Sequence, residues 1–167
     1  MNPSLIIRGY EPNDLESCRA LWRELTEWHR EIYEDPTIGS EHPEDQFDKH
    51  LTAVGANQIW VAVLDAQIVG LVGLILKGNE AEVESIIVSK AHRGRGTGSR
   101  LIERAIAEAG KREVRLLSVK PVARNMKTIQ FLHKHGFKNV GFIELFMDLS
   151  QRPWKSRIQL FDREFQF

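Results

Sequence analysis

The sequence predicts a mixed α/β fold of the α+β type, with a mostly antiparallel central sheet of about six or seven strands flanked by about four helices. Three observations predict it. Residues 57–89 hold three long apolar runs separated by very short turn segments, which can be joined only as an antiparallel meander. Residues 98–135 then alternate helix, strand and helix, so a strand–helix–strand unit follows the meander. Hydrophobic residues make up 42% of the 167, an ordinary share for one soluble globular domain.

The elements follow in order. SLIIRGY (4–10) reads as a first strand. Asn13 and Glu16 have the spacing of a capping box, and Leu15, Cys18, Trp22, Leu25 and Ile32 mark a helix over about 14–33. EDPTIGSEHPEDQ is loop, and Pro43 opens a second helix reaching about Val54. NQIWVAVLD (57–65) and QIVGLVGLILKG (67–78) are strands joined by a tight turn at Asp65–Ala66, and a turn at KGNE leads to AEVESIIVS (81–89). Leu101, Ile102, Ala105, Ile106 and Ala109 form the apolar stripe of a helix over 98–110, closed by Gly110. VRLLSV (114–119) is a buried strand, and NMKTIQFLHKH (125–135) a helix capped by Gly136. FKNVGF and IELFMDL close the domain as strands, giving the order β-α-α-β-β-β-α-β-α-β-β. The domain is expected over 1–150, with a tail over 151–167.

Composition excludes several classes. The formal net charge is zero, so no overall field draws the chain to nucleic acid or membrane. Cys18 is the single cysteine, which rules out an intrachain disulfide and a cysteine zinc cluster, and no metal is expected. The N-terminus lacks a basic, apolar leader, and no apolar run approaches the roughly 20 residues needed to span a bilayer, so a cytoplasmic location is expected. Residues 24–48 nonetheless hold nine acidic side chains and one arginine.

The most informative stretch is VSKAHRGRGTGSRL (88–101), a glycine- and arginine-rich loop from a strand into a helix N-terminus. The first helical N–H groups have no intrahelical partner, the helix dipole adds positive potential, and glycines let a phosphate approach the backbone. A phosphate or diphosphate site follows. The loop lacks the Lys-Ser or Lys-Thr of a Walker loop, and GRGTGS is not the G-x-G-x-x-G of a dinucleotide fold.

These residues resemble the acetyl-CoA signature of the GNAT acetyltransferases, Q/R-x-x-G-x-G/A, matched by Arg93, Gly96 and Gly98. NMKTIQFLHKHGF is similar to the family's N-x-x-A-I-x-x-Y-x-x-x-G-F helix at Asn125, Ile129, Gly136 and Phe137. The opening strand and helix also resemble the family, with weaker motifs, so the likeness covers about residues 4–149 as one GNAT-like domain. The resemblance implies that backbone N–H groups of Arg93, Gly94, Arg95, Gly96, Thr97, Gly98 and Ser99 hold the pyrophosphate of acetyl-CoA. It implies that Ile86, Ile87 and Val88 pair with the pantetheine arm, that the Val88 N–H polarises the thioester carbonyl, and that Asn125 bonds the arm. Asn125 also suits a helix N-cap. Ser118 and Lys120 would line the same gap.

Acetyl transfer to an amine needs a base, and Glu84 is the candidate, with Glu82 on the same strand face as a less certain partner. The family's usual general acid is a tyrosine, and here Leu132 stands in its place. His133 is rotated about 100° from that position, and Tyr33 ends the first helix. VKPVARN also carries two more residues before Asn125 than common members. The resemblance puts the acidic stretch, with Glu31, Glu34, Asp35, Glu41, Glu44 and Asp45, on the wall of the acceptor site, which favours a cationic amine. Trp22 and Trp28 suit the core better than acceptor stacking. In the tail, Trp154, Ile158, Phe161 and Phe165 would share one helix face, docked on the domain or on a second subunit as a homodimer. The alternative to an N-acetyltransferase is a non-catalytic acetyl-CoA-binding domain. A nucleic-acid partner is not expected, because aromatics do not interleave with the basic residues.

Overall fold

The structure, a computed structural model, describes residues 4–149, 154 and 157–166. Its internal contacts divide it into two units, 1–120 and 121–167. The first holds a five-stranded sheet in the order β1 (Ile6–Gly9), β2 (Ile59–Leu64), β3 (Gln67–Lys77), β4 (Glu80–Val88) and β5 (Leu116–Val119). The first three pairings are antiparallel and the β4–β5 pairing is parallel, as a helical crossover requires. Three helices belong to it: α1 (Leu15–Tyr33), α2 (Asp45–Val54) and α3 (Thr97–Lys111).

Local chemistry explains these elements. Asp65 and Ala66 both take positive φ, 48° and 63°, the two-residue turn that matches strand twist. The capping box expected at Asn13–Glu16 forms instead around Asp14, whose carboxylate accepts from the Glu11 N–H at 2.8 Å and from both terminal nitrogens of Arg8. Charge decides this: a buried aspartate with an arginine fork is a stronger acceptor than the Asn13 amide. Helix α3 runs one residue past Gly110, and the left-handed position falls on Glu113.

Alternation along β3 sorts the two faces of the sheet. Cys18, Leu21 and Phe47 from α1 and α2 pack with Val61, Leu71 and Ile87 in one buried cluster. Leu101, Ile102, Ala105 and Ala109 of α3 are buried, and α3 packs on β2, β3 and β4. Each fully buried aliphatic side chain of this kind contributes about 1.5–3 kcal/mol.

The second unit holds α4 (Met126–Lys134) and an antiparallel hairpin, β6 (Arg157–Leu160) with β7 (Arg163–Gln166). Helix α4 ends in a left-handed Gly136, with Phe137 N–H on the Leu132 carbonyl and Gly136 N–H on the His133 carbonyl, as expected for its cap. Two expectations are corrected here. FKNVGF and IELFMDL form no strand, so among the described residues the central sheet has five strands rather than six or seven. Ile158 and Phe165 are cross-strand partners in the hairpin rather than neighbours on a helix face, and Phe161 lies in its turn beside Asp162, both with positive φ. The boundary expected at 150/151 lies outside the described residues. Among the described residues, no helix is long and apolar enough to cross a membrane.

Candidate active site

Two features meet at the C-terminal end of β4. The first is a gap. The β4–β5 pairing ends at Val83 and Val119, while β4 continues to Val88. Ser89 N–H donates to the Val69 carbonyl at 2.9 Å, and hydrogen-bonded residues alternate along an antiparallel ladder. Ile87 therefore turns its peptide groups toward β3, while those of Ile86 and Val88 face the edge that β5 has left. Of the three residues expected to pair with a pantetheine arm, Ile86 and Val88 offer outward groups and Ile87 does not.

The second feature is the loop. Gly94 and Gly96 sit in the left-handed region, at φ 75° and 83°, and a Cβ on either would meet open space. Gly96 is the N-cap of α3, no side chain caps the helix, and its first turn carries no acidic residue. The first intrahelical bond in this turn is Arg100 N–H to Gly96 O, which leaves the N–H groups of Thr97, Gly98 and Ser99 free of intrahelical partners. Arg95 is exposed. Arg93 is tied down: its Nε donates to the Val88 carbonyl at 2.9 Å and its guanidinium lies 5.3 Å from the Trp28 ring centroid. Glu24 on α1 accepts from Lys90 N–H at 2.8 Å and Ser89 Oγ at 3.1 Å, pinning the start of the loop. Trp28 thus supports the loop, while Trp22 packs inside on Phe47.

Glu84 stands beside this gap. Gly73 pairs with Ser85 and Leu74 with Val83, so Glu84 is the extra residue of a β-bulge. Its Oε2 lies against His50 Nδ1 and accepts from Ser85 Oγ at 2.8 Å. Burial pushes the carboxyl up, but His50 against it, with help from Ser85, outweighs burial and holds the group below its ordinary value. Glu82 is differently placed. Lys77 at 2.5 Å and Lys120 at 3.0 Å both bond its Oε2, and against the opposing effect of burial they also hold it low. A carboxylate shared by two ammonium groups is a poor proton acceptor, and Lys120 is turned to Glu82. Ser118 Oγ faces the Ala81 carbonyl at 3.4 Å.

In the second unit, Asn125 is the N-cap of α4, its side chain accepting from Thr128 N–H at 3.2 Å. Leu132 is buried and His133 exposed. The acidic stretch is partly neutralised: Glu44 pairs with Arg23 at 3.4 Å and Glu31 with Lys90 at 3.7 Å. His50 was not foreseen. Its signal was its place on the apolar stripe of α2 with Phe47 and Val54, all three buried.

The family model for the GNAT acetyltransferases matches residues 22–137, a span that includes Glu84, the open end of β4 and the glycine loop. The chain belongs to the GNAT acetyltransferase family. Solved structures share the GNAT fold. An N-acetyltransferase from Thermoplasma acidophilum, PaiA, in complex with coenzyme A has a TM-score of 0.68 and 22% identity over 81% of this chain and 90% of that one. An aminoglycoside N-acetyltransferase in complex with CoA has a TM-score of 0.65 and 16% identity, covering 89% and 97%. A transcriptional regulator from Bacillus halodurans has a TM-score of 0.64 and 22% identity, covering 86% and 100%. No curated protein matches the sequence significantly.

Proposed function

We propose that this GNAT chain transfers the acetyl group of acetyl-CoA to a primary amine by direct attack in a ternary complex. The observation that supports this most is the juxtaposition at the end of β4 of an open, glycine-capped helix N-terminus, two outward-facing peptide groups and a bulged carboxylate. The N–H groups of residues 93–99 would hold the pyrophosphate, Ile86 and Val88 the pantetheine arm, and the Val88 N–H the thioester oxygen.

The acceptor arrives as an ammonium, with a pKa near 10.4 for a lysine-like amine. Glu84 Oε1 takes one proton, directly or through water. The neutral nitrogen attacks the carbonyl, the C–N bond forms, the C–S bond breaks, the nitrogen gives its second proton to solvent as the amide forms, and the thiolate takes a proton from solvent. A carboxylate held below its ordinary value is a weak base, so the supply of neutral amine limits the rate and the rate rises with pH toward the amine's own pKa. Glu41 and Asp45, acidic and exposed, favour a cationic acceptor: a polyamine, an aminoglycoside, a lysine side chain or a peptide N-terminus. Release of CoA thiol with and without a panel of these amines tests the reading. Binding of acetyl-CoA without amine-dependent release supports the second reading, a non-catalytic acetyl-CoA-binding domain, which the buried Leu132 favours.

A further inference from the structure

His50 is a histidine with no freedom to do anything but meet Glu84. Its side chain is 1% exposed. The ring packs on Trp22 with centroids 4.7 Å apart and on Phe47 at 5.9 Å. Its other side lies on β3, where a Cβ at Gly73 would come within 2.8 Å of both Cε1 and Nε2. Both ring nitrogens are buried, and neither makes a hydrogen bond of ordinary geometry. Its one polar contact is therefore Nδ1 against Glu84 Oε2, the oxygen that Ser85 also bonds. A histidine kept solely as packing would have no need of a bulged strand carboxylate brought against one of its nitrogens.

We propose that His50 is a positioning residue for Glu84, its Nδ1–H fixing Oε2 and so presenting Oε1 as the atom that receives the acceptor's proton. This rests on the reading of Glu84 as the base. A glutamate at a strand edge turns about three side-chain bonds, and a base misplaced by about 1 Å loses up to about a hundredfold in rate. The aromatic rings and Gly73 fix the imidazole plane, the imidazole fixes one oxygen, and the other points where it can act.

The first test needs no acceptor. Long-range proton–nitrogen spectra of the wild type should place a proton on His50 Nδ1, with the resonance shifting in Glu84→Ala. A neutral ring protonated on Nε2 overturns the proposal. The second test uses the amine that gives the fastest CoA release. His50→Leu should lower kcat by about ten- to a hundredfold, with KM and acetyl-CoA affinity within about twofold of wild type. His50→Asn, whose amide nitrogen can stand where Nδ1 stood, should recover most of the loss. Equal impairment in both variants, or none in His50→Leu, overturns the positioning role. Full turnover in Glu84→Gln overturns the base assignment and the catalytic role of His50 with it. The nitrogen spectra still report the pair in that case, so the two failures are told apart.

Discussion

The glycine loop at 93–99 and the His50–Glu84 pair lie within one unit and are built in opposite ways. The loop is made of backbone: two left-handed glycines, unpaired N–H groups and a helix dipole, with side chains serving only to hold it down. The pair is made of side chains from α2 and β4, brought together by a bulge in one strand and a missing Cβ in another. A backbone site survives many changes of side chain but fails where a glycine is lost. A packed pair fails when any of its walls moves.

The sharpest way to separate the two is Glu84→Gln. It should lower kcat by about a hundredfold or more, since general bases contribute about 10²–10⁴, and leave acetyl-CoA affinity unchanged by calorimetry. Next in size is Gly73→Ala. The added methyl would sit 2.8 Å from the His50 ring, so the ring must shift. We expect a stability loss of about 1–3 kcal/mol, read as a fall in Tm of about 2–4 °C per kcal/mol, with activity falling while acetyl-CoA still binds.

The contrast also accounts for what the sequence made legible. Glycine chemistry is local, so RGRGTG could be read as an anion-binding loop, and the Asp65–Ala66 turn and the Gly136 cap could be read in the same way. Glu84 was singled out by the resemblance, four residues before Val88 on the third long strand, and not by the apolar pattern. His50 was not, because its partner is 34 residues away in sequence and the bulge that aims Glu84 leaves no mark in the apolar pattern. Glu82 was the less certain partner, and its ion pairs with Lys77 and Lys120 set it apart from Glu84. The closing strands failed for a related reason. The apolar residues of FKNVGF and IELFMDL suit a strand, and pairing depends on a partner edge that local sequence does not specify.

Two smaller effects test the loop's supports. Arg93→Ala removes the bond to the Val88 carbonyl and the stack on Trp28, and should weaken acetyl-CoA binding by about two- to fivefold without changing kcat. At the far end of α3, hydrogen bonds from Lys111 and then Arg112 pull the Glu108 carboxyl down to about 2. Its folded pKa lies below the ordinary value of 4.5, so its stabilisation is present above that pH and is lost as the pH falls toward about 2. Acid-unfolding curves should therefore show a shallower dependence over that window in Glu108→Gln than in the wild type.

The central claim is that the loop cradles the pyrophosphate of acetyl-CoA, and isothermal titration of the wild type and Gly98→Glu tests it most directly. The variant puts a carboxylate at the free N–H groups of α3, where it repels a diphosphate yet suits the helix dipole and so spares the fold. The account predicts saturable binding to the wild type and its loss in the variant, with unchanged Tm. No binding to the wild type, or equal binding to both, would contradict it.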